Sequence, residues 1–408
     1  VNASSPSAPA AHVYLDWNAT APLAPEARAA WLAAQTDAWA NPASIHGPGQ
    51  RARNLLDQSR ATCARLLHCH AHELVWVSGG TEANATAIHA ALADGKSVIS
   101  QENTAPSEAP VLALAAGIEH SSVLRNLDQW CLAAGGRARF LPVDADGRLS
   151  VQTLVDALAP GIRLVCLHAA NNELGTLQDL PALIAAVRAA APHAKILVDC
   201  CQGAGKIALD LTAMGADFAS IAGHKFGAPR GIGLLHVRSG VACPPLIAGG
   251  RQQQDRRSGS EDVANAAALA AALSATVGDP AKLAEKIARQ RDLLETCWQT
   301  ISTALPHPRW LAHAAERLPN TMNLVHPHCR NDHLVMRLDL AGIAVSTGAA
   351  CMAARGEPSH VVAALGLDAD LAKSAVRVSI GPTTTAEDLA RFAAAYITAV
   401  TALTYKKS

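Results

Sequence analysis

The chain has 408 residues, half of them apolar, 17% charged and 3% aromatic. That is enough for two or three domains with substantial cores, and it excludes a disordered chain or a small stapled scaffold. The 34 basic residues balance the 34 acidic ones, so no overall charge draws the protein to nucleic acid or to an anionic membrane, and function must lie in local sites.

In chain order, Val1 to Ala11 is a Ser/Pro/Ala tail without the basic start and apolar block of a secretory signal. The apolar stretches are broken by polar residues well before about 18 to 20 positions, so no membrane span is expected. Ten irregularly spaced cysteines suit reduced thiols, and the cytoplasm is the expected address. From about Asn54 to Ala399, β-branched runs alternate with Ala/Leu-rich helical stretches, the pattern of an α/β fold with parallel strands and crossover helices. The predicted strands are Leu74 to Val77, Ser97 to Ser100, Ala138 to Pro142, Leu164 to His168, Lys195 to Asp199, Phe218 to Ala222 and Ile232 to His236. Gln101 to Ile118 reads as an unusually long connection. After Gly259 a helical segment over about Glu261 to Thr303, interrupted at Gly278-Asp279-Pro280, leads into a mixed tail. The organisation expected is a tail over 1–12, a large domain over 13–262 and a smaller one over 263–408.

In open α/β sheets ligands bind beyond the carboxyl ends of the strands. Lys225, one of only nine lysines, sits there in Ala222-Gly223-His224-Lys225-Phe226-Gly227. Alone, such a lysine reads as a snorkelling side chain. Desolvated among glycines and an aromatic, its amine becomes a nucleophile able to carry a Schiff base. Two companions favour the second reading. Asp199 closes the run Lys195-Ile196-Leu197-Val198, where its carboxylate suits the ring nitrogen of a pyridoxal phosphate. Val77-Ser78-Gly79-Gly80-Thr81-Glu82 reads as strand, glycine turn and helix start, a phosphate cradle when it is more than a cap.

Three other features mislead. His68-Cys69-His70-Ala71-His72 offers four candidate ligands, but no second ligand pair faces it, so it reads as a loop and no metal is expected. Cys200 and Cys201 read as packing residues beside Asp199. Arg251 to Arg257 is locally basic but short and free of interleaved aromatics, so it reads as an active-site or subunit-contact loop.

With these residues in hand, the chain resembles cysteine desulfurases of the NifS/IscS type, class-V members of the fold-type I pyridoxal phosphate enzymes. The landmarks are Tyr14-Leu15-Asp16, Asn41-Pro42-Ala43-Ser44, Ser78 to Glu82, Asn171-Asn172-Glu173-Leu174-Gly175, Val198 to Gln202, Gly223-His224-Lys225, Arg257 to Ser260 and Ser346 to Cys351. The resemblance implies a mainly parallel seven-stranded sheet with helices on both faces plus a smaller α+β domain. It also implies roles. Lys225 would hold the cofactor and shuttle protons, Asp199 would pair with the pyridine nitrogen, Gln202 would bond the ring hydroxyl and His120 would stack on the ring. Gly80, Thr81 and His224 would hold the phosphate, with Ser260 reaching across a homodimer. Asn172, Arg377 and Asn41 would meet the substrate. Cys351, on a small-residue, turn-prone stretch, would take the sulfur of L-cysteine as a persulfide for an acceptor protein, with His120 as the candidate base.

Ala222 stands where the family commonly has a serine donating to the phosphate. The alternatives are a selenocysteine lyase or another enzyme on the same scaffold and, in a different class, a non-catalytic sulfur carrier or regulatory partner.

Overall fold

The structure, a computed structural model, describes residues 12–93, 109–348 and 359–404. Seven strands form the main sheet: β2 (Leu74–Val77), β3 (Val111–Ala116), β4 (Arg137–Leu141), β5 (Leu164–His168), β6 (Lys195–Asp199), β7 (Phe218–Ala222) and β8 (Gly233–Val237). Their order is β2-β8-β7-β6-β5-β3-β4. The run from β4 to β7 is parallel, and β8 lies antiparallel to both β7 and β2. Every residue of β5, β7 and β8 is buried. A strand covered on both faces has no polar side to alternate with, so these segments read as continuous apolar runs.

Four of the seven predicted strands have the boundaries expected, and those near Ala138 and Ile232 are displaced by one residue. Ser97 to Ser100 lies outside the described residues. One reading is corrected: residues 111–116, taken as part of a connection, form β3 between β5 and β4. The sequence Val-Leu-Ala-Leu-Ala-Ala favours helix by propensity, but the sheet interior overrides that preference by burying its last five residues.

The parallel arrangement carries the carboxyl ends of β3, β5, β6 and β7 to one edge. Helix α1 (Pro25–Asp37), helix α2 (Gly47–Leu66) and the helix Val263–Val277 pack together. Leu269 and Leu273 of that last helix belong to the core of the main sheet. Asp279 then caps the helix Pro280–Ala304, accepting from the amides of Ala281 and Lys282, which is the physical basis of the break seen at Gly278-Asp279-Pro280.

A second core gathers around β10 (Thr321–Val325), which pairs antiparallel with β9 (Arg309–Trp310) and β12 (Val376–Ser379). The start of the chain joins this second body: β1 (Val13–Tyr14) pairs with β11 (Ile343–Ala344), and Leu15 is fully buried there. Among the described residues, no helix is long and apolar enough to cross a membrane, and no disulfide is formed.

Asp217, 1% exposed just before β7, ties two elements to the sheet. Its carboxylate accepts from Arg188 Nη2 at 2.8 Å, Arg238 Nη2 at 2.5 Å and the Ile196 amide at 2.8 Å. Burial alone would raise its pKa, but these donors hold it below the usual aspartate value. A folded-state pKa below the unfolded one gives stability that is present at neutral pH and lost as pH falls through the carboxylate range. Asp217→Asn should cost about 2 kcal/mol, less than for a fully enclosed pair because both guanidiniums reach solvent. Urea unfolding should show that the cost shrinks on acidification, and a pH-independent difference would contradict the assignment.

Candidate active site

Asp199 ends β6 and is 7% exposed. A carboxylate so enclosed needs donors. Asn84 Nδ2 meets Oδ2 at 2.9 Å, and the Cys201 amide meets Oδ1 at 2.9 Å. Asn84 lies one turn into helix α3 (Gly80–Ala93), so the same helix presents its amino terminus beside the carboxylate. Gly80 is required there, because a Cβ would come within 2.4 Å of Cys201 Sγ and 3.4 Å of Ala222 Cβ. Thr81 is exposed at the helix start. Backbone N–H groups and a hydroxyl at a helix amino terminus suit an anion.

Lys225 follows β7 in a single 3-10 turn, Gly223–Lys225. Its Nζ donates to the carbonyls of Asn18 at 2.8 Å and Ala19 at 3.0 Å. Burial and the Arg377 charge lower its pKa, outweighing the opposite pull of Cys201, Asp199 and Asp16. That is the direction that frees the amine for attack on a carbonyl. His224 Nδ1 lies 3.2 Å from Thr20 Oγ1. Burial, Lys225 and Arg230 bring its pKa to about 4, so its ring is neutral near pH 7.

His120 caps helix α4 (Ser121–Ala133), accepting from the Ser122 amide at 3.1 Å. Burial lowers its pKa; Asp199 acts against that shift, while Lys225 and His360 add to it. The charges of Asp199 and Lys225 thus both reach His120. Gln202 is buried, its Nε2 donating to the Asn18 carbonyl at 3.0 Å.

Arg377, 3% exposed on β12, donates from Nη2 to Asp16 Oδ1 at 2.5 Å and from Nη1 to the Asn172 carbonyl at 3.1 Å. Its buried Nε has no hydrogen-bond partner. Asn41 is exposed, and its side chain accepts from the Ala43 amide at 2.8 Å within its own turn. Ser260 is exposed three residues beyond Arg257, whose Nε bonds Glu82 Oε1 in the first turn of α3 at 2.9 Å. Before it, Arg251 and Gln253 to Asp255 adopt left-handed backbone, with φ from 53° to 63°. Gln253 is buried there, taking the Trp76 amide at 3.1 Å and donating to Glu261 at 2.9 Å.

Cys351 lies outside the described residues. The residues that bracket its segment converge on Glu173. Ser359 Oγ donates to Glu173 Oε1 at 2.8 Å, and a Cβ on Gly348 would meet Oε2 at 2.4 Å. Burial raises the Glu173 pKa against the pull of Ser359, Arg377 and His360.

Sequence reasoning missed three features. Asn18, 1% exposed, bonds Lys225, Gln202, Asn172 and Thr321; only its closeness to the Tyr14-Leu15-Asp16 landmark hinted at it. His168, at the end of β5, pairs with fully enclosed Glu119 at 2.7 Å. Of the His68 to His72 run, only Cys69 joins a potential ligand group, with Glu73 and His236. There the Glu73 carboxylate is already engaged by Ser239 and the His70 amide.

The donor set fits a pyridoxal phosphate: a nucleophilic amine, a strand-end carboxylate, a helix amino terminus closed to a Cβ, and a buried guanidinium with an unpartnered N–H. Comparison with known proteins agrees. The aminotransferase class-V family profile matches residues 13–392. The chain is 37% identical to a cysteine desulfurase of Cereibacter sphaeroides over 93% of both chains. It is 33% identical to the cysteine desulfurase NifS of Azotobacter vinelandii, over 93% of this chain and 90% of the relative. Among solved structures, a NifS-like protein superposes with a TM-score of 0.86 at 26% identity, covering 96% of this chain and all of the other. A NifS-like protein from Rickettsia africae gives 0.82 at 26% identity, covering 96% and 99%. The chain therefore belongs to the class-V aminotransferase family, among the NifS/IscS-type fold-type I enzymes that use pyridoxal 5'-phosphate.

Ala222, 2% exposed, lies beside Gly80 at the start of α3, at the position where the resemblance leads one to expect a serine. Ala222→Ser should slow cofactor loss on dialysis about tenfold, the value of one hydrogen bond to a charged group. Unchanged or faster loss would remove Ala222 from the phosphate site.

Proposed function

We propose that this protein is a cysteine desulfurase that converts L-cysteine to L-alanine and passes the sulfur, held on Cys351 as a persulfide, to an acceptor protein. The observation that carries the reading is the convergence of Lys225, Asp199 and the α3 amino terminus in a chain that is 37% identical, across nearly its whole length, to a cysteine desulfurase. Pyridoxal phosphate, when bound, supplies an electron sink for the substrate carbon bonded to nitrogen.

The chain's own residues do the rest. Lys225 would hold the cofactor through Nζ, and the same amine is placed to move the proton of the substrate α-carbon. Asp199 would pair with the ring nitrogen, Gln202 would bond the ring hydroxyl and His120 would stack on the ring. Gly80, Thr81 and His224 would hold the phosphate, joined by Ser260 from the other subunit of a homodimer. Arg377 holds the substrate carboxylate with Asn172, while Asn41 lines the approach. Arg377 reaches that role from a guanidinium already anchored by Asp16, so the fork is fixed before substrate arrives.

Cys351 acts as the nucleophile. Its thiolate forms a bond to the substrate sulfur as the carbon–sulfur bond breaks; the electron pair of that bond stays with the β-carbon, which takes up a proton to become the methyl group of alanine, and the persulfide remains on the protein. A free thiol is only a few per cent ionised near neutral pH, so a base is needed, and His120, whose lowered pKa keeps it neutral, is the candidate. The convergence of Gly348 and Ser359 on Glu173 supports this reading, because the described residues on either side of Cys351 meet next to Asn172, the residue proposed here to meet the substrate.

Purified protein should carry a yellow absorption band and should release sulfide and alanine from L-cysteine with a reductant. Cys351→Ala should keep the band and lower sulfide release by at least about a hundredfold, as expected for loss of a covalent nucleophile. Sulfide release that survives the substitution would overturn the assignment of Cys351.

A further inference from the structure

One buried amine has no part in this scheme. Lys206, four residues beyond Gln202, is 8% exposed. Its Nζ donates to Gln202 Oε1 at 2.5 Å and to Asn18 Oδ1 at 2.7 Å. The charged groups that face it are Lys225, Arg377 and Lys286, all cationic. Among the described residues, no carboxylate forms a salt bridge with it. Burial and those like charges push its pKa far below the usual lysine value. Two side-chain oxygens are in place to accept from its N–H groups.

The effect on its partners is specific. With the oxygen of Gln202 taken by Lys206, the amide nitrogen faces the Asn18 main-chain carbonyl at 3.0 Å and keeps a second N–H free to donate. The reversed amide would set two oxygens against each other at Asn18, so its orientation is dictated by the network. Asn18 Oδ1 also accepts from Asn320 Nδ2 at 3.2 Å, and its own Nδ2 donates to Thr321 Oγ1 at 2.8 Å and the Asn172 carbonyl at 3.2 Å. The Asn18 main-chain carbonyl, held from both sides in this way, receives Lys225 Nζ at 2.8 Å.

We propose that Lys206 is a positioning residue for the cofactor site: by holding the side-chain oxygens of Gln202 and Asn18, it orients the Gln202 amide and fixes the carbonyl that anchors Lys225. Lys206 touches neither cofactor nor substrate and acts through these two neighbours. The inference rests on the pyridoxal phosphate reading above, in which Gln202 is the donor to the ring hydroxyl.

The test is Lys206→Met, which keeps most of the aliphatic stem and removes both donors. It is compared with wild type in three measurements: pyridoxal phosphate affinity by absorption titration, the pH midpoint of the yellow band, and the reactivity of Lys225 in the cofactor-free protein by competitive acetylation read site by site in a mass spectrometer. Affinity should fall about tenfold, as for one lost hydrogen bond. The band midpoint should move, and Lys225 acetylation near neutral pH should slow by about threefold. With Gln202→Leu as the second change, the combined loss of affinity should be smaller than the product of the single losses, because the two residues act on one hydrogen bond.

Lys206→Gln, which keeps two N–H donors on a shorter stem, should regain part of the affinity, and it serves in place of the Met variant if that one does not fold. A folded Lys206→Met matching wild type in all three measurements overturns the proposal, as does strict additivity with Gln202→Leu. Wild-type protein that never takes up the cofactor overturns the pyridoxal phosphate reading instead, and the acetylation of Lys225 then still decides whether Lys206 positions it.

Discussion

A carboxylate at the end of a strand enclosed by protein on both faces is the constraint around which this crevice is built. Asp199 can be tolerated there only if donors reach it. The Asn84 side chain and the Cys201 amide do so from two different elements. Placing Asn84 correctly obliges helix α3 to begin at Gly80, and that start can approach the turn after β6 only because Gly80 has no Cβ to strike Cys201. The acid and the start of helix α3 are therefore a single construction.

The second constraint is that the site draws on two bodies with separate cores. Arg377 belongs to the sheet of the smaller body, yet its guanidinium is fastened to Asp16 and to the Asn172 carbonyl. Asn18 repeats the pattern, with the hydroxyl of Ser379 accepting its amide and Thr321 accepting its side chain, while its carbonyl faces Lys225. The segment from Tyr14 to Thr20 thus works as a strap whose polar groups register one core against the other. Buried polar networks of this sort specify geometry more than they add stability.

What could be read in the sequence follows from how local its cause is. β5, β6 and β7 were legible because each is a short apolar run ended by a polar or glycine-bearing turn, and Asp199 and Lys225 were legible as residues at those ends. β3 was not, because its alanines speak for helix and only the neighbouring strands make them extended. Asn18 and Lys206 were not, because their bond spans 188 positions and no spacing rule connects them. The His168 and Glu119 pair escaped for the same reason: burial works against charge on either partner, each is tolerated through the other, and the two lie 49 positions apart. Asn41 was legible as part of a motif, but the sequence does not show that its side chain is spent on its own turn.

The left-handed turn before Ser260 has an effect away from the crevice. β2 is the outermost strand on its side of the main sheet, and such a margin exposes a row of amides to which a strand from another molecule can zip. Gln253 closes that seam by taking the Trp76 amide, and it reaches it only because the backbone around it coils in the sense that ordinary residues avoid. The coil thus occupies one amide of that margin and keeps it from pairing with another strand, tied by sequence proximity to the loop that leads to Ser260.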